Sequence, residues 1–262
     1  MPIRSCTPVR EAGAMSRFLR ALLVLSLAGL PAIACAAEAT PAATPAAAPA
    51  AAPAFRTIVL VRHGNYAPDP AADPRLGPHL SALGVAQARL VGARLAGLPV
   101  RFDRLYASPL QRARDTAASI AADLPGRPFE VLDDLAECTP PSREARIAAS
   151  EKPADLDACK KQLDRLYAAH FRPAEGASST ELYVCHGNVI RYLTTRALGV
   201  DPAAWLSMSI GHASITRIRI GPDGRMQVIA VGDVGHLPPN LQTGASGDAE
   251  RTLENAALVP AS

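Results

Sequence analysis

Three short segments hold the residues best suited to bond-making chemistry. Arg62-His63-Gly64 and His186-Gly187 each put an imidazole just before a glycine, and Arg112 adds a second guanidinium. Arg-His-Gly alone is a weak signal. Its weight comes from repetition, because both histidines follow short apolar runs that read as strands. Two arginines and two histidines at one rim would repel one another unless an anion sat among them. A phosphate group meets that need, since guanidinium forks match its oxygens in bidentate fashion. Glycine at 64 and 187 lets backbone approach closely. Arg62, Arg112 and His186 therefore read as phosphate-binding, with amide donors from Asn65 and Gly187 as further contacts. His63, flanked by positive charge, is expected neutral and nucleophilic. Ser108 reads chiefly as a helix cap. A leaving oxygen needs a proton, which a carboxylic acid of raised pKa can give. Asp133, Asp134 and Glu137 are the candidates. Glu137 is preferred for lying further from the strand, and all three as solvated loop charges is the alternative.

These residues need a scaffold that brings distant segments to one edge. Residues 55–61 are short and β-branched, as in a strand buried on both faces. Ser81 can cap a helix over 82–95, whose stripe is Leu83, Ala86, Leu90 and Ala93. Strands are expected at 104–107, 129–132 and 181–185. Helices are expected from Pro109, near 156–171 and from about Asn188 to Leu198. A hairpin over 215–231 turns at Pro222-Asp223-Gly224. Alternating strands and helices predict an α/β sandwich with a mixed, mostly parallel sheet. In such sheets ligands lie beyond the carboxyl ends of the strands, where His63, Ser108, Glu137 and His186 all fall.

The runs L-V-R-H-G-N-Y (60–66), A-S-P-L-Q-R-A-R-D-T-A (107–117) and V-C-H-G-N-V-I-R-Y (184–192) resemble the histidine phosphatase superfamily. The stretch 188–240, with R-A-L-G-V, G-D-V-G and P-P-N, is similar to one branch, the mitochondrial phosphoglycerate-mutase-like serine/threonine-protein phosphatases. The resemblance runs from about 55 to 240 and is weakest at 140–178. It implies a three-layer α/β/α fold and hydrolysis through a phosphohistidine at His63. Arg62, Arg112 and His186 would hold the phosphoryl group, and Glu137 would be the proton donor. No cofactor or metal is expected. The substrate would be a phosphorylated small molecule or a phosphoprotein. A phosphomutase on the same fold is the alternative, weakened by N-Y-A-P-D after the Arg-His-Gly run and by the lack of a G-E-S motif. An inactive phosphate-binding module is a third reading.

The 262 residues, 48% of them hydrophobic, suffice for one well-buried core. A net charge of +3 and 4% aromatics give no case for a nucleic-acid partner. Arg17, Arg20 and the apolar stretch from Leu22 to Ile33, then Ala34-Cys35-Ala36-Ala37, read as an export signal over 1–37. Met15 is an alternative start. The implied address is a bacterial periplasm, with no membrane span after cleavage; a lipid anchor at Cys35 is the alternative. Residues 38–54, nearly all Ala, Pro and Thr, read as a tether, and 241–262 as a poorly ordered tail. Cys185 sits in an apolar run and reads as a buried thiol. Cys138 and Cys159 flank a polar segment and are expected to bridge in an oxidising compartment. His79, His170, His212 and His236 share no ligand spacing and read as surface or loop residues.

Overall fold

The computed structural model describes residues 52–124 and 126–244. The leader, most of the tether, and the tail beyond 244 lie outside the described residues, so the readings placed on them do too. The elements are β1 (Arg56–Arg62), α1 (Ala82–Ala96), β2 (Arg104–Ala107), α2 (Gln111–Ala121), β3 (Glu130–Val131), α3 (Ala145–Ser150), α4 (Pro153–His170), β4 (Ser179–Cys185), α5 (Gly187–Ala197), β5 (Ile215–Ile220) and β6 (Met226–Asp233). The strands form one sheet in the order β3-β2-β4-β1-β5-β6. β1 and β2 each pair parallel with β4, and β3 parallel with β2. β5 is antiparallel to β1 and to β6.

Successive strand residues alternate between two cores, as a pleated strand requires. Ile58, Leu60, Tyr183 and Cys185 face a layer that includes Leu163 of α4 and Leu193 of α5. Val59, Val61, Leu182 and Val184 face Val91 of α1 and Ile120 of α2. The result is the expected mixed α/β/α sandwich. The Cys185 thiol is fully buried, and burial raises its pKa.

Several boundaries differ from the sequence reading. α2 begins at Gln111 with Leu110 as its cap, so Pro109 sits ahead of the helix. The Ser108 hydroxyl instead accepts from Leu110 N and faces His186. The short helix α3 lies in a segment with no clear apolar period. Residues 241–244, assigned to the tail, belong to the folded domain. Thr243 is 2% exposed, and Gln87 Nε2 donates to Leu241 O and Thr243 Oγ1. Cys138 and Cys159 are bonded, with Cα atoms 5.6 Å apart, joining the segment after β3 to α4.

α1 is pressed against the loop after β1. Ser81 Oγ caps the helix by accepting from Gly84 N and donates to Asn65 Oδ1 at 2.6 Å. A Cβ on Gly84 would lie 1.9 Å from Asn65 O, and one on Gly64 would lie 2.5 Å from Gly84 O. Both contacts are backbone to backbone and cannot be relieved by a side chain turning away. Gly84→Ala should therefore destabilise the fold by about 2 kcal/mol or more. Chemical denaturation should show this as a lower midpoint, and an unchanged midpoint would refute the close approach.

Candidate active site

Register brings the two histidines together. Arg62 is opposite Cys185 in the parallel β1–β4 pair, so His63 and His186 leave adjacent strands side by side. His63 N donates to Cys185 O, and His63 O accepts from Ala213 N, which locks the backbone. The ring centroids of His63 and His186 are 5.0 Å apart. Ala107 is opposite Val184, which brings Ser108 to the same rim.

A hydrogen bond to a carbonyl fixes the tautomer of His63. His63 Nδ1 lies 2.8 Å from Gly64 O, so it carries the proton. Nε2 keeps its lone pair, to which Arg112 Nε donates at 3.2 Å. Burial, then His186, Arg62, Arg112 and His212, hold His63 well below the usual imidazole range. The Ser108 hydroxyl accepts from Leu110 N and lies 2.7 Å from His186 Nε2, a nitrogen to which its hydrogen can be given. With the hydroxyl as donor, the His186 proton sits on Nδ1, which is buried and has no hydrogen-bond partner among the described residues. Burial and the two arginines keep His186 neutral as well.

Arg62 is half-buried, and desolvation by the protein around it lowers its pKa to about 10, leaving it charged at neutral pH. Its Nε–H is likewise buried without a partner among the described residues. The Arg112 guanidinium lies 4.9 Å over the Tyr66 ring, which meets His63 edge-on at 5.4 Å. The site thus holds one unprotonated imidazole nitrogen, capped by the Arg112 Nε–H, and buried nitrogens on groups that flank it.

Glu137 reaches the rim from the side of α4. Gln162 of that helix donates to Asp134 O and Ala136 O, and the Cys138–Cys159 bond anchors the next residue. Glu137 Oε1 accepts from Asn188 N at 3.3 Å, and Oε2 lies 3.9 Å from His186 Nδ1. The side chain keeps 26% of its surface exposed. Protein packed around the rest raises its carboxyl to about 7, against the opposing pull of Arg62 and Arg112. Its rivals point elsewhere: Asp134 pairs with Arg165, and Asp133 is exposed.

Two site contacts differ from expectation. The Asn65 main-chain N–H donates to Gln87 Oε1 at 2.7 Å, so that donor is spent within the fold. Gly187 is the first residue of α5, where the N–H has no intrahelical acceptor, so it remains a candidate donor. His212, read as a surface or loop residue, is 7% exposed, and its ring lies 5.4 Å from His63. A topological signal could have found it. It precedes β5, and a strand antiparallel to β1 begins at the rim where β1 ends. Arg191 was also missed. It lies four residues beyond Gly187 on the same helix face, and Gly187's missing Cβ would be 3.4 Å from its Nη1. Of the remaining histidines, His79 is exposed beside Asp115, while His170 and His236 are partly buried.

A fold of this topology, with paired histidines and arginines at the strand ends, defines a phosphoryl-handling α/β enzyme class. Residues 58–233 match the model of the histidine phosphatase superfamily (branch 1), and the chain belongs to that family. It is 39% identical over 193 residues to the Caenorhabditis briggsae protein "Serine/threonine-protein phosphatase Pgam5, mitochondrial", covering 71% of this chain and 66% of that one. It is 34% identical to the Homo sapiens PGAM5 of the same description, covering 72% and 66%. The match thus spans just under two thirds of these relatives' length. Among solved structures, a Plasmodium falciparum phosphoglycerate mutase is 26% identical with a TM-score of 0.50, covering 71% of this chain and 95% of that one. A mycobacterial glucosyl-3-phosphoglycerate phosphatase shares the fold at 22% identity and a TM-score of 0.51, covering 68% and 99%.

These relatives correct the expected address. They are named as mitochondrial, which overturns the reading of 1–37 as an export signal peptide and of a periplasm as the compartment. An arginine-bearing, acid-poor leader is a feature of organelle targeting as well as of export, so composition alone did not discriminate. No helix among the described residues is long and apolar enough to cross a membrane.

The Ser108 assignment is testable. Ser108→Ala should lower kcat/KM for a phosphomonoester about tenfold by releasing the His186 tautomer. The thermal midpoint should change little, because the hydroxyl's other bond is a single turn contact. Full activity in the variant would show that the tautomer is held by other means.

Proposed function

We propose that this chain hydrolyses phosphomonoesters through a phosphohistidine at His63, with phosphorylated protein side chains as the substrate class. One observation carries the reading. Two buried nitrogens, Arg62 Nε and His186 Nδ1, have no hydrogen-bond partner among the described residues, although an unmet buried polar group is costly. Both belong to groups that flank a neutral imidazole whose Nε2 is unprotonated. A phosphoryl group would satisfy both. The protein substrate class is supported by the names of the curated relatives.

The chemistry follows from the geometry. A phosphoryl oxygen takes the Arg112 Nε–H now directed at His63 Nε2, which frees the lone pair. Nε2 forms a bond to phosphorus as the ester P–O bond breaks. The charge on the equatorial oxygens is met by Arg62, Arg112 and His186, donors already in place and largely shielded from water. The leaving oxygen takes a proton from Glu137, whose carboxyl near 7 makes it a competent acid at neutral pH. The resulting carboxylate then accepts a proton from water as the water oxygen attacks phosphorus. The P–N bond breaks, inorganic phosphate leaves, and both groups return to their starting states.

His63→Ala should lower turnover at least about a thousandfold and abolish an acid-labile, alkali-stable phosphoenzyme in rapid-quench labelling with phosphopeptides. Hydrolysis retained by that variant would place the reaction elsewhere. The acid form of Glu137 donates, so kcat/KM for esters with poor leaving groups should fall about tenfold per pH unit above about 7. Glu137→Gln should remove that limb and impair alkyl esters more than activated aryl phosphates. Equal impairment of both substrates would count against a donor role.

A further inference from the structure

Resting on the phosphatase reading, we propose that His212 is a positioning residue that sets the phosphate-facing edge of Arg62, with Thr243 holding its tautomer. A guanidinium only donates. Arg62 Nη2 lies 3.0 Å from His212 Nε2, so that nitrogen must accept and the ring proton must sit on Nδ1. Nδ1 lies 2.9 Å from Thr243 Oγ1, which receives that proton. Thr243 is held in turn by Gln87 Nε2, and its carbonyl accepts from His212 N. His212, Thr243 and Gln87 are all buried, so water does not compete for these bonds.

Counting donors shows what the arrangement achieves. Arg62 Nη1 donates to Ile210 O at 2.7 Å and Gly244 O at 2.9 Å, and Nη2 gives one hydrogen to His212. Three of the five N–H bonds are thus committed. The two that remain, Nε–H and the second Nη2–H, share one edge of the planar group. That edge is the bidentate grip for two phosphoryl oxygens. Without the His212 acceptor, Nη2 would lose its anchor and the edge its fixed direction. The ring is suited to the task because burial, then Arg62 and Arg112, push its pKa down to about 3 and keep it an acceptor. Gly244 completes the clamp. Its φ is +65°, and a Cβ there would lie 2.6 Å from His212 Nδ1 and 3.0 Å from Arg62 Nη1.

The test uses the full chain, with inorganic phosphate binding by calorimetry and phosphomonoester kinetics. His212→Ala should raise the phosphate Kd and the KM roughly ten- to hundredfold. His212→Gln, whose amide oxygen can accept from Nη2, should recover most of that loss. In an Arg62→Lys background, His212→Ala should change phosphate affinity by no more than about twofold, because the group it positions is gone. The same loss in both backgrounds, or a Gln variant no better than Ala, overturns the proposal. If His212→Ala does not fold, Thr243→Val removes the Nδ1–H acceptor with little change in volume and takes its place. Unchanged phosphate binding by the replacement variant would then overturn the role. A wild-type chain that binds no phosphate sinks the phosphatase reading and this inference with it. Wild-type binding left intact by His212→Ala sinks this inference alone.

Discussion

Buried positive charge is the constraint around which this molecule is arranged. Arg62 and Arg112 are packed beside His63, His186 and His212, where each added proton would meet two guanidinium groups in a poorly hydrated space. Such a cluster is tolerable only if the imidazoles stay neutral. Neutral rings then become useful, because each has one acceptor nitrogen and one donor nitrogen. His63 donates to its neighbour's carbonyl and keeps Nε2 available. His186 Nε2 faces the Ser108 hydroxyl, and His212 accepts from Arg62. Electrostatic repulsion and tautomer choice are therefore parts of one arrangement.

The rim is assembled from two directions. β1, β4 and the entry to β5 deliver the arginine and histidines through strand register, which is rigid because every residue of β1 pairs with β4 and most pair with β5. Glu137 arrives from a segment tied to α4 by Gln162 and the Cys138–Cys159 bond. The acid is thus supported independently of the groups that hold phosphate. Its partial exposure allows the carboxyl to exchange protons with water, which the fully enclosed imidazoles cannot do as readily.

Much of this was legible in the chain because local chemistry and periodicity agreed. The β-branched run before His63, the Ser81 cap and the turn at Gly224 each depend on neighbouring residues, and each lies where the sequence reading put it. Glu137 stood out over Asp133 and Asp134 by its place beyond the strand. The failures have a common origin. His212 looked like a loop residue because its importance comes from β5 running antiparallel to β1. Residues 241–244 looked like a tail because their partners, Gln87, His212 and Arg62, are remote in sequence. The leader's address failed for a different reason, since its composition serves more than one compartment.

The sequence by itself determined the kind of chemistry and the layered architecture. Residue types set what can attack, donate or grip, and hydrophobic spacing sets which segments become strands and helices. Only the tertiary structure decided which nitrogen of His63 and of His212 carries its proton, and which edge of Arg62 stays unspent. It also decided that the chain's last described residues belong to the pocket. Those outcomes depend on hydrogen bonds between groups far apart along the chain, and no local pattern encodes a bond whose partner is chosen by strand order.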